Sequence, residues 1–294
     1  MAAPNGGVFD QREELQERLQ QGPGEEARQE LGLSEQTGPP PRWSLRTIRA
    51  SIPRLRHYSL SGIWRLLRAC KLRWRAAKEH YYSPDPDYAA KVARWLACLR
   101  EAAARPGQVE VVFMDEMGYY RWPAPARAWA PSAPAEAPTT QRGGTGNQQW
   151  RIIGALNART GRTTYRDGYI IGRAQVIAFY KQLARAYPQA ERIYVVQDNW
   201  PVHRHAEVVS ALETLPQIEP VWLPTYAPWL NPMEKLWRWL RQAVLRLHRL
   251  AGDWPGLQGR VRAFLEQFGG GSERLLEYVG LLGRGQLARM VHGG

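Results

Sequence analysis

Cysteine is nearly absent from this chain: two occur in 294 residues, Cys70 and Cys98. Neither has a CxxC partner or nearby histidine ligands, which excludes a disulfide scaffold and a cysteine-based zinc site, and reduced thiols in a cytoplasmic protein are expected. Long apolar runs are absent too. No stretch approaches the roughly 18 residues that cross a bilayer, and MAAPNGGVFD lacks the basic and apolar regions of an export signal, so no membrane partner is expected. No internal repeat is present. The sharpest shortage is of acid in one segment: residues 42–78 hold eleven Lys or Arg and no Asp or Glu, whereas residues 1–41 hold three Arg against eight acids. With a net charge of +13, this concentration points to a polyanionic partner, most simply double-stranded DNA.

What the chain does hold is 44% hydrophobic residues, enough for one sizeable domain and a smaller one. Residues 1–41, polar and punctuated by Gly22-Pro23-Gly24 and Gly38-Pro39-Pro40-Pro41, read as a loosely ordered acidic lead-in. Residues 42–80 read as two short helices joined by a tight turn, the first around Leu45, Ile48 and Ile52 and stopped at Pro53. The second, SGIWRLLRACKLRW, carries Ile63, Leu66, Leu67 and Cys70 on one face and Arg65, Arg68, Lys71, Arg73 and Arg75 elsewhere. That is the pattern of a helix-turn-helix DNA-binding module; a basic hairpin that packs only on its own domain is the alternative. Residues 81–108 read as a helical connector.

From Val109 the period changes. VEVVFMDE reads as a strand that ends in Asp115 and Glu116, with GYYRW as its hairpin partner. Residues 123–146, rich in Pro, Ala and Gly, read as a loop with room for a short strand at Arg127 to Ala130. QQWRIIGALNART and TTYRDGYI form a second hairpin turning at Gly161, in which Asp167 is a turn residue. Then follow a helix over 175–187, the apolar strand RIYVVQD ending at Asp198, a helix over 203–215, and a strand over 218–223. Hairpin strands followed by alternating strands and helices predict an α/β fold with a mixed sheet over 109–250. Residues 251–294 read as a weakly defined helical tail.

The most strongly marked stretch is Val221 to Leu250. Asn231 is a good N-cap, Pro232 fits the first helical position, and Glu234 falls at the third. Leu236, Trp237, Leu240, Val244, Leu247 and His248 then recur at helical spacing, with Lys235, Arg238 and Arg241 between them as candidate DNA contacts. Glu234 could simply close a capping box. Its company suggests more. Asp115 and Asp198 at strand ends and Glu234 at a helix start can converge on one edge of a sheet. Three carboxylates so placed would hold a proton between them unless a cation intervened, and oxygen ligands suit Mg²⁺ or Mn²⁺. Two such ions about 4 Å apart would serve in-line attack on phosphorus.

VVFMDEMGYYRW, VVQDNWPVHRH and LPTYAPWLNPMEKLWRWLR resemble the three catalytic blocks of the mariner superfamily of DDE transposases, in its bacterial insertion-sequence branch. The 35 residues between Asp198 and Glu234 match that family's short second spacing. The resemblance runs over roughly residues 42–250. It implies a ribonuclease-H-like mixed sheet with flanking helices, preceded by a small helix-turn-helix module. It also implies Asp115, Asp198 and Glu234 as catalytic metal ligands, two Mg²⁺ or Mn²⁺ ions, and cut-and-paste transposition on terminal inverted repeats and target DNA. Glu116, Asn199 and His203 match positions the family favours near the site, where we assign them support. Each has a plainer alternative: Glu116 as a surface acid, Asn199 as a cap with Pro201, and His203 with His205 as a helix face or DNA contact. Trp122, Trp129 and Trp229 could stack on unpaired bases or pack in the core. Joining two ends implies at least a homodimer on DNA. The family usually carries two helix-turn-helix units in succession, and here only the second is evident. The rival readings are a DNA-binding transposon relic without catalysis and a structure-selective nuclease of the same fold.

Overall fold

The computed structural model describes residues 13, 15–75, 82–130, 137–140, 142–143 and 146–292, and divides the chain into two compact units, Met1–His80 and Tyr81–Gly294.

In the first unit, helix α1 (Glu25–Glu30) precedes α2 (Leu45–Ser51) and α3 (Leu60–Ala69). Ser44 caps α2 in a reciprocal box with Thr47, and Ser59 caps α3 by accepting from the Gly62 amide. Pro53 opens a short 3₁₀ turn between them, so a helix–turn–helix pair forms where the sequence predicts it. The core is Leu15, Ile48, Ile52, Leu55, Ile63 and Cys70. The lead-in therefore has an ordered part: residues 15–20 are helical, Leu15 and Ala27 are buried, and the Trp43 indole donates to the Leu19 carbonyl. Apolar residues too sparse for a core of their own complete one begun by α2 and α3. The second helix is shorter than expected. It ends at Ala69, and Lys71 takes a left-handed backbone (φ 60°). Arg65 and Arg68 thus stand on α3, whereas Lys71, Arg73 and Arg75 follow it; all five are exposed.

The second unit is built on a five-stranded sheet in the order β3-β2-β1-β4-β5. Its strands are β1 (Val109–Tyr120), β2 (Gln149–Asn157), β3 (Thr163–Gly168), β4 (Arg192–Gln197) and β5 (Ile218–Trp222). β1 pairs antiparallel with β2 and parallel with β4, and β5 extends the parallel half. This is the predicted mixed sheet, with one correction. GYYRW is not a hairpin partner of VEVVFMDE; its first three residues continue the same twelve-residue strand, so Asp115 and Glu116 lie mid-strand rather than at its end. Gly118 stays in line because it is extended, not turning: a Cβ there would come within 2.8 Å of the Gln149 side chain on β2. Residues 125–130 form no strand.

Alternation along β1 sends its residues to two faces. Val111, Phe113, Met117 and Tyr119 face a core shared with α4 (Tyr88–Ala104) through Trp95, Cys98 and Leu99, and with α7 (Met233–Leu240) through Leu236, Trp237 and Leu240. Val112 and Met114 face a second core, against α5 (Arg173–Ala186) and α6 (Ala206–Glu213). The expected connector and tail are thus parts of the domain. Helices α8 (Trp254–Glu266) and α9 (Glu273–Val279) bury Leu257, Val261, Leu265 and Leu275 in the first core, ahead of a last helix, α10 (Gln286–His292). Their attachment depends on Gly161 (φ 69°), whose added Cβ would lie 2.3 Å from the Ser272 carbonyl oxygen. The predicted long final helix is also broken. After Leu240 the chain makes one π-turn (Arg241–Leu245), Leu247 is left-handed (φ 50°), and His248 lies beyond the helix. Main-chain hydrogen bonds between Ala124 and both Leu245 and Leu247 hold the break.

Candidate active site

Four elements bring the carboxylates together. β1 supplies Asp115, the turn after β4 supplies Asp198, the first turn of α7 supplies Glu234, and the loop after β5 supplies a wall. Asp115, Asp198 and Glu234 line one cleft of about 440 Å³ with Asn199, Thr225, Tyr226 and Asn231. The site therefore gathers the three acids singled out from the sequence, although Asp115 reaches it from within a strand.

Asp115 is the most constrained of them. Burial pushes its carboxyl well above the ordinary range, and Glu234, Glu116 and Asp198 push the same way. The Trp237 indole N–H donates to its Oδ2 at 2.9 Å. Trp237 can lie flat there because Gly154 stands opposite Asp115 in the ladder; a Cβ on Gly154 would sit 2.8 Å from the indole. Asn231 fixes the next contact. Its Nδ2 donates to the Met114 carbonyl at 3.1 Å while its Oδ1 accepts from the Met233 amide, so α7 starts against β1. No side chain caps α7 in a box, which leaves Glu234 to face the cleft.

Glu116, one residue on, points to the other face. Its Oε1 lies 3.4 Å from Nε2 of buried His203, which lies 3.8 Å from Asp198 Oδ1. Glu116, Asp198 and His203 also have donor atoms within 4.8 Å of one another. Glu116 Oε1 and His203 Nδ1 are buried without hydrogen-bond partners. Asp198 therefore stands between two sets of groups, an oxygen-only set with Asp115 and Glu234 and a mixed set with Glu116 and His203. Crowded acids, orphaned buried oxygen and the absence of a lysine or arginine paired to the three acids among the described residues fit a divalent cation held chiefly by oxygen. Asn199 is no helix cap: its Nδ2 donates to the Leu223 carbonyl (3.0 Å) and Thr225 Oγ1 (3.3 Å), and its Oδ1 accepts from Arg204.

Other expectations fall differently. Lys235 is half-buried and its ammonium donates to the Val279 carbonyl at 2.7 Å, so it anchors α9 rather than facing solvent; Arg238 and Arg241 are exposed. Asp167 is not a turn residue but lies on β3, accepting from the Trp150 indole and the Arg262 guanidinium. His205 starts α6, accepting from the Glu207 amide. Trp229 is half-buried, whereas Trp129 is fully exposed. Sequence reasoning did not find Trp237 as a partner of Asp115, although its position three residues after Glu234 puts it on the adjoining face of the helix. It also did not find Gly154.

A mixed sheet flanked by helices, presenting three carboxylates in one cleft and following a small helical unit, has the ribonuclease-H-like architecture. Residues 110–255 match the DDE superfamily endonuclease family, so over these residues the chain carries a DDE endonuclease domain. It is 27% identical over 227 residues to the insertion element IS630 uncharacterized 39 kDa protein of Shigella sonnei, an alignment spanning 76% of this chain and 64% of that one. The chain thus spans somewhat under two thirds of the length of that relative. Among solved structures it is similar to the Mos1 transposase paired-end complex with left transposon end (15% identity, TM-score 0.63, all of this chain and 81% of that one). It is similar also to the Mos1 strand transfer complex (16% identity, TM-score 0.62, all of this chain and 80% of that one). Among the described residues no helix is long and apolar enough to cross a membrane.

Proposed function

We propose that this protein is a DNA transposase that binds terminal inverted repeats and catalyses divalent-metal-dependent strand cleavage and strand transfer. The observation that carries this reading is the single cleft lined by Asp115, Asp198 and Glu234, in which burial and the neighbouring carboxylates push the Asp115 carboxyl well above the ordinary range. In this reading the three carboxylates hold two Mg²⁺ or Mn²⁺ ions, which when bound activate a water or a 3′-hydroxyl and stabilise the leaving oxygen. Mos1 paired-end complexes have been solved with Mn and with Mg, which supports the choice of metals. Trp237 keeps the Asp115 carboxylate aimed into the cleft, and Asn199 ties the Asp198 turn to the loop after β5. Glu116 and His203 support Asp198 from the opposite side. Arg65 and Arg68 on α3, with Lys71, Arg73 and Arg75 after it, contact phosphates, and Arg238 and Arg241 extend the basic surface of the catalytic unit. A homodimer engages two ends, in the cytoplasm and on the nucleoid.

The test separates chemistry from binding. Asp198→Asn should abolish strand cleavage on a duplex carrying the element's end while its DNA dissociation constant stays within about twofold, since the arginines that set affinity are untouched. Equal loss of both would sink the proposal.

A further inference from the structure

The wall of the cleft opposite α7 is the loop Pro224 to Pro228, and its geometry is unusual. Tyr226 sits at φ 54° with its ring largely in solvent (78% exposed). A non-glycine residue in that region persists only where its surroundings impose it. What imposes it comes from about 140 residues earlier, in the SPDPD run just before α4.

Asp85 is buried, and its side-chain partners come from this loop, from its own turn and from the first turn of α4. Its Oδ2 accepts from the Thr225 amide at 2.7 Å and from the Lys91 ammonium at 2.7 Å, and its Oδ1 accepts from the Asp87 amide at 2.9 Å. The Ser83 hydroxyl donates to the Thr225 carbonyl. Both polar groups of one peptide residue are therefore gripped by side chains two positions apart, on a segment stiffened by Pro84 and Pro86. The Lys91 ammonium and the Thr225 amide hold the Asp85 carboxyl far below the usual carboxylate range, so it stays charged under all ordinary conditions. The chain of contacts continues inward. Thr225 Oγ1 accepts from Asn199 Nδ2, Asn199 adjoins Asp198, and Thr225 and Tyr226 line the cleft with Asp198 and Glu234.

We propose that Asp85 is a positioning residue for the catalytic cleft: with Ser83 and Lys91 it clamps Thr225, setting the Tyr226 wall and, through Asn199, the turn that carries Asp198. This rests on the transposase reading for its effect on chemistry, but the clamp itself is independent of activity. It predicts that the cleft is completed by a segment of the chain outside the residues that match the family.

Hydrogen exchange followed by mass spectrometry on the full chain without metal is the first arm, comparing wild type, Asp85→Ala and Asp85→Asn. In Asp85→Ala the amides of residues 223–230 should exchange at least tenfold faster while those of β4 keep their wild-type rates. Asp85→Asn, which retains an acceptor for the Thr225 amide, should restore at least part of the protection. Wild-type exchange over 223–230 in Asp85→Ala, or an equal rise in β4, would overturn the proposal. The second arm is single-turnover strand cleavage at saturating protein and Mg²⁺. Asp85→Ala should lower the rate at least tenfold with DNA affinity unchanged, and adding Asn199→Ala should cost less than the product of the two single effects. Multiplicative effects would refute the shared route. If wild-type protein cuts no DNA, the transposase reading fails, and the exchange result still decides the clamp.

Discussion

Replacing Asp115 by Asn should make the metal-free protein more stable. Asn keeps the shape of the side chain and an oxygen to accept from the Trp237 indole, while removing a charge that burial and three neighbouring carboxylates oppose. The sign follows from linkage. A carboxyl whose pKa is raised by folding costs nothing below its unfolded value near 4, costs progressively more as pH rises from there, and costs its full amount above the raised value. Relieving an uncompensated buried charge is worth about 1–3 kcal/mol after allowing for a weaker indole bond. For a unit of about 200 residues each kcal/mol moves Tm by about 2–4 °C, so the gain at pH 8 in EDTA should be about 2–12 °C and should vanish near pH 4. Metal reverses the order. Mg²⁺ at a hundred times its dissociation constant should stabilise wild type by about 2.7 kcal/mol, and Asp115→Asn far less. Scanning calorimetry or dye-monitored melting at the two pH values reads all of this. A variant less stable than wild type in EDTA at pH 8, or one stabilised equally by Mg²⁺, would refute the reasoning.

Three further outcomes follow from the same geometry. Gly154→Ala should displace Trp237, lowering stability by about 1–3 kcal/mol in urea titrations and slowing cleavage more than it weakens DNA binding; unchanged melting would show that the indole can give way at no cost. Arg65→Ala and Arg68→Ala should each weaken duplex binding across sequences and reduce the slope of log affinity against log salt by about 1, with an unchanged slope ruling out a phosphate contact. The Cys98 thiol is fully buried and pushed up to about 11 by burial, so iodoacetamide at pH 8 should label it only when the protein is unfolded, as intact mass will show.

Much of the site was legible in the sequence because its parts are local. Asp198 closes an apolar strand, and Asn231, Pro232 and Glu234 mark a helix start by residue type alone. The breaks in regular structure were not legible, because distant partners make them. Gly118 looks like a hairpin turn until β2 is seen to run past it. The helix carrying Glu234 keeps its apolar spacing to His248, yet it stops near Leu245, where Ala124 takes its main-chain hydrogen bonds. Residues 251–294 look too rich in glycine for a stable element, but the helices between those glycines bury Leu257, Phe264 and Leu275 against a core begun elsewhere. Asp85 has no local signature at all; its meaning lies in Thr225.

The central claim is that the three carboxylates form a working metal-dependent site for DNA cleavage, and strand cleavage tests it most directly. A labelled duplex spanning the boundary between element and flanking DNA would be incubated with protein in Mg²⁺, Mn²⁺, Ca²⁺ or EDTA. The account predicts cuts at the element boundary with Mg²⁺ and Mn²⁺, and none with Ca²⁺ or EDTA. Tight binding without cleavage under every metal would contradict it and leave a protein that only holds DNA.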